Sequence, residues 1–277
     1  MTTTHRYKAA VIIPSRGGAD ILHYPLDALA AQTEKDFQVI VVLDGDIDNS
    51  EAVLDRYIAE GKLNLTKIVF EENRGRVAAL NAGHRAADAD ILIRCDDDLE
   101  PASDYVEAQI RLHRDYDGVI GTLKNVYPDP PYSRVYGNFR DARFKEGALS
   151  VAEEGRWLYW NGNSSISAEY FDRTGGYDPA YRLYGWEDVD MGKMVHDAGG
   201  RIIISDEVEV KHYAEATTTA VRALRALHSG SARTIFVRKH GEDAHPAPNP
   251  TGAWGFLVKT LARFTTEKTI KALGDAS

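Results

Sequence analysis

The sequence predicts an α/β fold with a mostly parallel central sheet. Short apolar runs alternate with segments of helical periodicity as far as Cys95, and such runs are typical of strands that helices cover on both faces. Three of these runs end in polar clusters: Ser15-Arg16, Asp44 with Asp46, and Asp96–Asp98. Ligands of parallel α/β sheets bind beyond the carboxyl ends of the strands, so the same pattern predicts where a site lies.

The first half of the chain contains the alternation on which this prediction rests. Its predicted strands are Ala9–Pro14, Phe37–Leu43, Lys67–Phe70 and Ile91–Cys95. The predicted helices between them are Leu22–Gln32, Ser50–Glu60 with Ser50 as a candidate N-cap, and Asn73–Ala87. Regular alternation of this kind favours a doubly wound sheet.

The second half is less regular. Its predicted helices are 103–116, 188–198, about 217–239 and 254–273, and its predicted strands are 119–126, 201–205 and 208–213. Between residues 127 and 156 the chain is rich in proline, glycine and charge, with Pro128, Pro130 and Pro131 close together. We expect a long surface excursion there, of the kind that carries specificity or acts as a lid.

Composition excludes several classes of protein. The 277 residues carry a net charge of −9, so we expect no nucleic-acid partner. Cys95 is the only cysteine, which excludes an internal disulfide and makes a thiolate metal cluster implausible. The N-terminal residues lack the apolar core of a signal peptide, and no apolar run approaches membrane-spanning length. We therefore expect a soluble cytoplasmic protein.

The triplet Asp96-Asp97-Asp98 is the most informative feature of the sequence. It follows the apolar strand Ile91–Cys95 directly, and three like charges at a strand end repel one another. A bound divalent cation is the simplest feature that would make the arrangement favourable. The alternative is a solvated acidic turn.

Six motifs in order extend this interpretation. They are Val11-Ile-Ile-Pro-Ser-Arg, Val41-Val-Leu-Asp-Gly-Asp, Asn73-Arg-Gly-Arg-Val-Ala-Ala-Leu-Asn, Asp96-Asp-Asp, Gly185-Trp-Glu-Asp-Val-Asp and the histidine His212. Together they resemble a GT-A glycosyltransferase of the family 2 type over residues 8 to 213. The resemblance implies a Rossmann-like nucleotide-diphospho-sugar transferase fold with a mostly parallel sheet and C-terminal helices. It divides the chain into a catalytic domain, 1–214, with nucleotide-binding (1–101) and acceptor-binding (102–214) halves, and a helical extension, 215–277.

The resemblance also implies a donor site. Asp96 and Asp98 resemble the family's Asp-X-Asp pair, and with His212 they would bind Mn²⁺ or Mg²⁺, which suit oxygen and imidazole ligands. Asp44 resembles the carboxylate that accepts the N3–H of uracil. The implied nucleotide-binding residues are Pro14, Arg16, Asp44, Asn73, Arg76, Asp96 and Asp97. The alternatives are a helix N-cap for Asn73, a solvated helix face for Arg76 and an ordinary strand-end hydrogen bond for His212.

The implied catalytic base is Asp188, which would take the proton of the acceptor hydroxyl in an inverting reaction. Its predicted position at a helix N-terminus is expected to lower its pKa. The implied acceptor and sugar contacts are Trp160, Asn163, Trp186 and Glu187, with Asn161 in the same segment. The alternatives are first-turn carboxylates that complement the helix dipole, and core packing for Trp186.

The expected partners are a nucleotide-sugar donor, most favourably a UDP-sugar, and a glycan, a lipid-linked molecule or a small molecule as acceptor. The apolar stripe and the lysines of residues 254–273 favour either an anionic membrane surface or packing on the domain or a second subunit, as in a homo-oligomer. A retaining GT-A transferase is one rival function. A nucleotidyltransferase is a second, but the loop Ser15-Arg16-Gly17-Gly18 is too short for its phosphate loop. A degenerate carbohydrate- or nucleotide-binding protein is a third, and the presence of Asp96, Asp98, Asp188 and His212 argues against it.

Overall fold

The computed structural model describes residues 5–127, 137–182, 184–213, 219–245 and 251–274. Within these ranges eight strands form one sheet. The predicted α/β class is confirmed. The strands are β1 (Tyr7–Ser15), β2 (Phe37–Leu43), β3 (Leu65–Val69), β4 (Ala89–Cys95), β5 (Leu99–Pro101), β6 (Gly118–Val126), β7 (Asn163–Ser167) and β8 (Ile202–Tyr213).

Ten α-helices lie within the described residues. They are α1 (His23–Ala30), α2 (Ser50–Glu60), α3 (Arg76–Ala86), α4 (Tyr105–Leu112), α5 (Asn138–Ser150), α6 (Ala168–Thr174), α7 (Glu187–Asp197), α8 (Thr219–His240), α9 (Gly252–Ala262) and α10 (Glu267–Gly274). Short 3₁₀ helices lie at Glu153–Tyr159 and Glu242–Ala244.

The strand order is β3-β2-β1-β4-β7-β6-β8-β5. The first four strands of this order are parallel, as the alternation predicts, and β6 is parallel to β8. β7 is antiparallel to both β4 and β6, and β5 is antiparallel to β8. This register pairs Cys95 with Asn163 and Leu99 with His212, so residues from the second half of the chain lie beside the end of β4.

The strands β1, β2 and β4 are largely buried on both faces, which explains why their sequences are mostly apolar. Val11 and Val39 point into the main core, whereas Ile12 and Val42 point towards α3. A Cβ at Gly83 of α3 would lie 2.5 Å from Ile12 Cγ2, so the helix can lie this close to β1 only with glycine there. The central strands therefore exclude water on both sides.

One predicted N-cap and one predicted helix start differ from the structure. Ser50 is the first residue of α2, and the cap at this helix end comes from carboxylates, since Asp46 Oδ1 and Asp48 Oδ1 accept the Ser50 N–H at 2.8 and 3.2 Å. The helix predicted from Asn73 begins at Arg76, so the N-cap interpretation of Asn73 is wrong. The spacing of apolar residues does not predict that Asp46 and Asp48 cap α2.

Other boundaries differ in the second half. The two strands predicted at 201–205 and 208–213 are one strand, β8, and the predicted helix 254–273 is two helices, α9 and α10. The predicted excursion at 127–156 contains α5, while its three prolines lie outside the described residues.

The chain divides into two units. The first consists of Met1–Pro179 with Asp188–Ala214, and the second of Ala180–Glu187 with Glu215–Ser277. On the second unit Phe256 is 75% exposed and Phe264 71% exposed. The side chains of Trp254, Val258 and Leu261, which belong to the predicted apolar stripe, lie outside the described residues. No helix in the described ranges is long and apolar enough to cross a membrane.

Two histidines, the buried His84 and the half-buried His113, make stability depend on pH. His84 of α3 stacks on Phe171 at 4.8 Å between ring centroids, and its Nδ1 lies 2.7 Å from Leu80 O. Burial lowers the pKa of His84 to about 4, and burial likewise lowers the pKa of His113 to about 4. The unfolded chain takes up protons on both rings near pH 6.5, whereas the folded chain does not until pH 4. Stability is therefore lost as the pH falls through this window.

We predict that His84→Gln reduces this pH dependence. Because its pKa is lowered in the folded state, each of these histidines costs the folded state about 2 kcal/mol between about pH 7.5 and pH 5. The variant therefore loses less free energy of unfolding than the wild type over that interval. Urea unfolding at the two pH values measures the difference. His23→Gln, which replaces an exposed histidine, is the control and keeps the wild-type pH dependence. An unchanged dependence in His84→Gln contradicts the prediction.

Candidate active site

The three carboxylates that follow β4 have three different partners. Asp96 accepts hydrogen bonds from Arg94, Asp97 accepts one from the Ser15 hydroxyl at 2.5 Å, and Asp98 Oδ2 lies 3.2 Å from His212 Nε2. The apparent like-charge cluster is therefore separated, and its members face different parts of the site. Neither a metal ion nor a solvated turn alone explains this arrangement.

Arg94 joins the triplet to α7. Its Nε donates to Asp96 Oδ1 at 2.7 Å and its Nη2 to Asp96 Oδ2 at 3.0 Å, while Nη1 donates to Asp188 Oδ1. The side chain of Arg94 is only 1% exposed. Burial opposes its charge, but Asp188 and Asp96 raise its pKa above the ordinary value. A single buried cation thus forms ion pairs with two carboxylates.

The two carboxylates respond differently to this environment. Burial tends to raise the pKa of Asp96, but Arg94 and Arg76 lower it below its usual range. Burial raises the pKa of Asp188, Arg94 opposes the rise and Asp96 adds to it. The expectation that the N-terminus of α7 lowers the pKa of Asp188 is therefore wrong, because loss of water outweighs the helix dipole.

Gly162 lies against the carboxylate of Asp96. Its carbonyl accepts the Asp96 N–H at 3.2 Å, and a Cβ on Gly162 would collide with Asp96 Oδ2. Close approach of backbone to a functional side chain is a usual reason for glycine. The sequence offered only a weak signal for this residue, a glycine between two asparagines just before β7.

His212 is oriented by a residue that sequence analysis missed. Its Nδ1 lies 2.5 Å from Asn125 Oδ1, and the two residues are paired across β6 and β8. An amide oxygen can only accept, so Nδ1 carries the proton and Nε2 faces Asp98. Metal-binding histidines are usually held in this way by a hydrogen bond to the other ring nitrogen.

The predicted metal ligands are only partly assembled. Asp98 and His212 lie together, whereas both oxygens of Asp96 accept from Arg94. Among the residues that the structure describes, no group of three or more His, Cys, Asp or Glu side chains is arranged to hold a metal. One carboxylate and one oriented imidazole still suit Mn²⁺ or Mg²⁺ bound with nucleotide phosphates, because these ions commonly take few protein ligands.

Asp97 belongs to the loop that follows β1. Ser15 Oγ donates to its Oδ2, and Gly18 lies so close that a Cβ there would collide with Ser15 Oγ. Burial raises the pKa of Asp97 to about 7, the Ser15 hydroxyl opposes the rise, and Asp98 adds to it. The Ser15 carbonyl also accepts the Asp44 N–H at 2.8 Å. The three polar strand ends predicted to lie together are therefore linked.

Asp44, the predicted base-binding carboxylate, is buried and bound to backbone. Its Oδ1 accepts the Arg74 N–H at 2.6 Å and its Oδ2 accepts the Gly75 N–H at 2.9 Å. These bonds fix the segment before α3, in which Asn73 is exposed. Each carboxylate oxygen keeps a second lone pair, so Asp44 can still accept from a ligand.

The predicted basic residues lie around this end of the sheet. Arg76 is the first residue of α3, where the helix dipole disfavours a cation, yet its charge lowers the pKa of Asp96. Helix stability therefore does not explain Arg76, and the solvated-face interpretation is incomplete. Arg16 is exposed just after β1, and Pro14 is buried within that strand.

Two predicted sugar contacts are packing residues in this structure. Trp160 is 4% exposed, and its ring lies against Gly118, where a Cβ would come within 2.9 Å of it. Asn163 is 0% exposed and accepts from the Tyr105 hydroxyl at 2.7 Å, while its amide donates to Val208 O at 2.8 Å. Both side chains are buried in the core, which favours a packing role for each, and their assignment as sugar contacts stays a prediction.

Trp186 and Glu187 belong to the second unit. Trp186 Nε1 donates to Ser229 Oγ at 3.1 Å, and the indole ring lies 4.9 Å from the Phe236 ring. Trp186 has a φ of 71°, which is unusual for a bulky residue, and Gly185 before it has a φ of 98°. Packing within the second unit thus explains much of the indole's environment.

Comparisons of the sequence identify relatives. A family model described as glycosyl transferase family 2 matches residues 10–175, and one described as the N-terminal domain of galactosyltransferase matches residues 153–218. Validoxylamine A glucosyltransferase from Streptomyces hygroscopicus subsp. jinggangensis (strain 5008) is 30% identical over 271 residues, covering 86% of this chain and 62% of that protein. The uncharacterised glycosyltransferase YfnE from Bacillus subtilis (strain 168) is 26% identical over 243 residues, covering 69% of this chain and 61% of that protein. The chain spans about three fifths of the length of these relatives.

Solved structures share the fold. S. aureus TarS 1-349 in complex with UDP-GlcNAc has a TM-score of 0.62 and 16% identity, covering 80% of this chain and 66% of that chain. The mannosyltransferase PcManGT from Pyrobaculum calidifontis, in complex with GDP-Man and Mn²⁺, has a TM-score of 0.67 and 21% identity, covering 99% and 81%. The GT-A fold implied by the motifs is thereby confirmed. Because the family model spans more than half of the sequence, this chain belongs to glycosyl transferase family 2.

Proposed function

We propose that this chain is a metal-dependent, inverting glycosyltransferase that moves a sugar from a nucleotide sugar to a hydroxyl acceptor. One observation carries the proposal: Asp188 shares the buried guanidinium of Arg94 with Asp96. The candidate base therefore lies beside the strand end at which ligands of this kind of sheet bind. The family assignment supports the same reaction class.

The donor diphosphate is bound at the end of β4 in this proposal. Asp98 and His212 would hold the cation, and Asp96 would contact the metal or the ribose through its remaining lone pairs. When bound, Mn²⁺ or Mg²⁺ would supply positive charge to offset the negative charge of the leaving diphosphate. Arg76 and Arg16 are the candidate phosphate contacts, because guanidinium groups offer forked, charged donors.

Asp188 is the proposed general base. Its Oδ1 accepts from Arg94, so Oδ2 is the oxygen that takes the proton of the acceptor hydroxyl. The hydroxyl oxygen forms a bond to the anomeric carbon on one face while the bond to the diphosphate breaks on the other, which inverts the configuration. A pKa of Asp188 raised by burial makes the carboxylate a stronger base than an exposed aspartate.

The nucleoside is proposed from one carboxylate, and the sugar from the name of a relative. Asp44 is the candidate acceptor for the base N–H, which favours uridine. One relative is named a glucosyltransferase, so together with the uridine assignment UDP-glucose is the first donor to test. Glu187 and Trp186 are the candidate acceptor contacts. The acceptor is a molecule with a free hydroxyl, and hydrolysis of the donor by water provides an assay that does not require its identity.

We predict that Asp188→Asn lowers kcat for donor hydrolysis or transfer by about 10²–10⁴-fold, because the amide cannot accept the proton. Release of UDP from UDP-sugars measures turnover. Asp197→Asn is the matched control on the same helix, since Asp197 is exposed and pairs with Lys193. Unchanged turnover in Asp188→Asn contradicts the base assignment. NMR of the product anomer tests inversion separately, and a retained configuration contradicts it.

We predict that UDP and Mn²⁺ together raise the melting temperature, while GDP raises it less. A ligand at a hundred times its Kd stabilises the folded state by about 2.7 kcal/mol, enough to detect by thermal shift. Asp98→Asn and His212→Gln should lose the Mn²⁺-dependent part of the gain. His196→Gln on α7 is the control and keeps it. If no nucleoside diphosphate stabilises the wild type with Mn²⁺, the donor site is refuted.

We predict that Asn125→Ala weakens the apparent Mn²⁺ affinity by about 10–100-fold, because His212 loses the bond that orients its ring. Titration of Mn²⁺ at saturating UDP gives the affinity from the melting temperature. Thr122→Val on the same strand is a comparison variant that removes a hydrogen bond to Glu209 instead. Equal Mn²⁺ affinities in Asn125→Ala and the wild type would exclude this role.

A further inference from the structure

Arg94 is the buried charged residue of β4, whereas Asp90 at the start of the strand is exposed. Its neighbours Ile93 and Cys95 are fully buried in the main core, and Arg94 points to the opposite face. β4 lies between β1 and β7, where Arg94 is paired with Ile12 and Ser164. A guanidinium on a central strand has no contact with water, so its hydrogen bonds must come from protein groups.

Stability does not explain this residue. Removing an arginine and two carboxylates from water is costly, and apolar replacements of buried ion groups are often as stable or more stable. Here one cation faces two carboxylates, so the group Asp96–Arg94–Asp188 carries a net negative charge. Aliphatic residues in place of all three ionic groups would suit the core better. The arginine therefore needs an explanation other than folding.

The geometry of the three hydrogen bonds made by Arg94 suggests an explanation for this residue. The Nε and Nη2 edge of the guanidinium is bidentate to Asp96, and Nη1 reaches Asp188. Because the guanidinium is planar and rigid, it fixes the two carboxylates relative to each other. A lysine would keep the charge but cannot present two edges at fixed angles.

We propose that Arg94 is a positioning residue that fixes the donor-side carboxylate Asp96 and the base Asp188 relative to each other for the transfer step. The inference rests on the proposed function and adds a residue that touches neither the transferred sugar nor the acceptor. It occupies Asp188 Oδ1 and so leaves Oδ2 for the acceptor proton. It also occupies both oxygens of Asp96, which limits how that carboxylate turns towards a bound donor.

The test is a double-mutant cycle on turnover, with UDP release from the best UDP-sugar in the presence of Mn²⁺ as readout. We expect Arg94→Lys to lower kcat by about 10²-fold while the Kd of UDP, measured by thermal shift, changes by about threefold or less. We expect Asp188→Asn combined with Arg94→Lys to be little worse than Asp188→Asn alone, because Arg94 acts through Asp188. Multiplicative losses, or a kcat equal to that of the wild type, overturn the inference.

Two further variants keep the test decisive. Arg156→Lys is the matched control, since Arg156 donates to the Ile202 carbonyl at 2.8 Å and has no part in the site; it changes the melting temperature without a loss of kcat. If Arg94→Lys fails to fold, Arg94→Met replaces it, because Asp96 and Asp188 keep 21% and 20% exposure and can reach water. Absence of turnover in the wild type contradicts the proposed function itself, whereas a result confined to the Arg94 variants bears on the inference alone.

Discussion

The candidate site depends on one guanidinium buried in the middle of the sheet. Arg94 reaches Asp96 two residues along its own strand and Asp188 ninety-four residues away. Charges interact more strongly in surroundings that exclude water, so the three groups are coupled far more tightly than surface ion pairs would be. The position of α7 relative to β4 is therefore linked to the ionic state of the site.

The antiparallel strands explain how the second half of the chain reaches this point. In a purely parallel sheet only carboxyl ends of strands would meet at the end of β4. Because β7 runs the other way, the Gly162 carbonyl lies beside the Asp96 N–H. Because β5 is antiparallel to β8, His212 lies opposite Leu99, directly after the triplet. Two reversals in strand direction thus bring distant residues together.

The sequence predicted the parts of the fold that rest on local patterns. The strands β1, β2 and β4 were found because each is mostly apolar, and β2 was predicted to the residue. The role of Arg94 was not predicted, since its partner Asp188 is distant in sequence and no spacing rule links them. Asn125 and Gly162 were missed because their importance lies in contacts across strands. The start of α3 was misplaced and the N-cap of α2 was misassigned, because the carboxylates of Asp44 and Asp46 bind the backbone there.

The sequence motifs selected both functional candidates and packing residues. The two kinds of residue differ in how much hydrogen-bonding capacity their neighbours in the structure leave free. Asn163 resembled a sugar contact, but its oxygen accepts from Tyr105 and its amide donates to two backbone carbonyls, which leaves no donor for a ligand. Asp188 uses one oxygen on Arg94 and is partly exposed. His212 has its Nδ1 proton engaged by Asn125, which directs Nε2 towards Asp98. A polar residue is thus a good candidate for chemistry when its neighbours fix its orientation without using all of its lone pairs or protons.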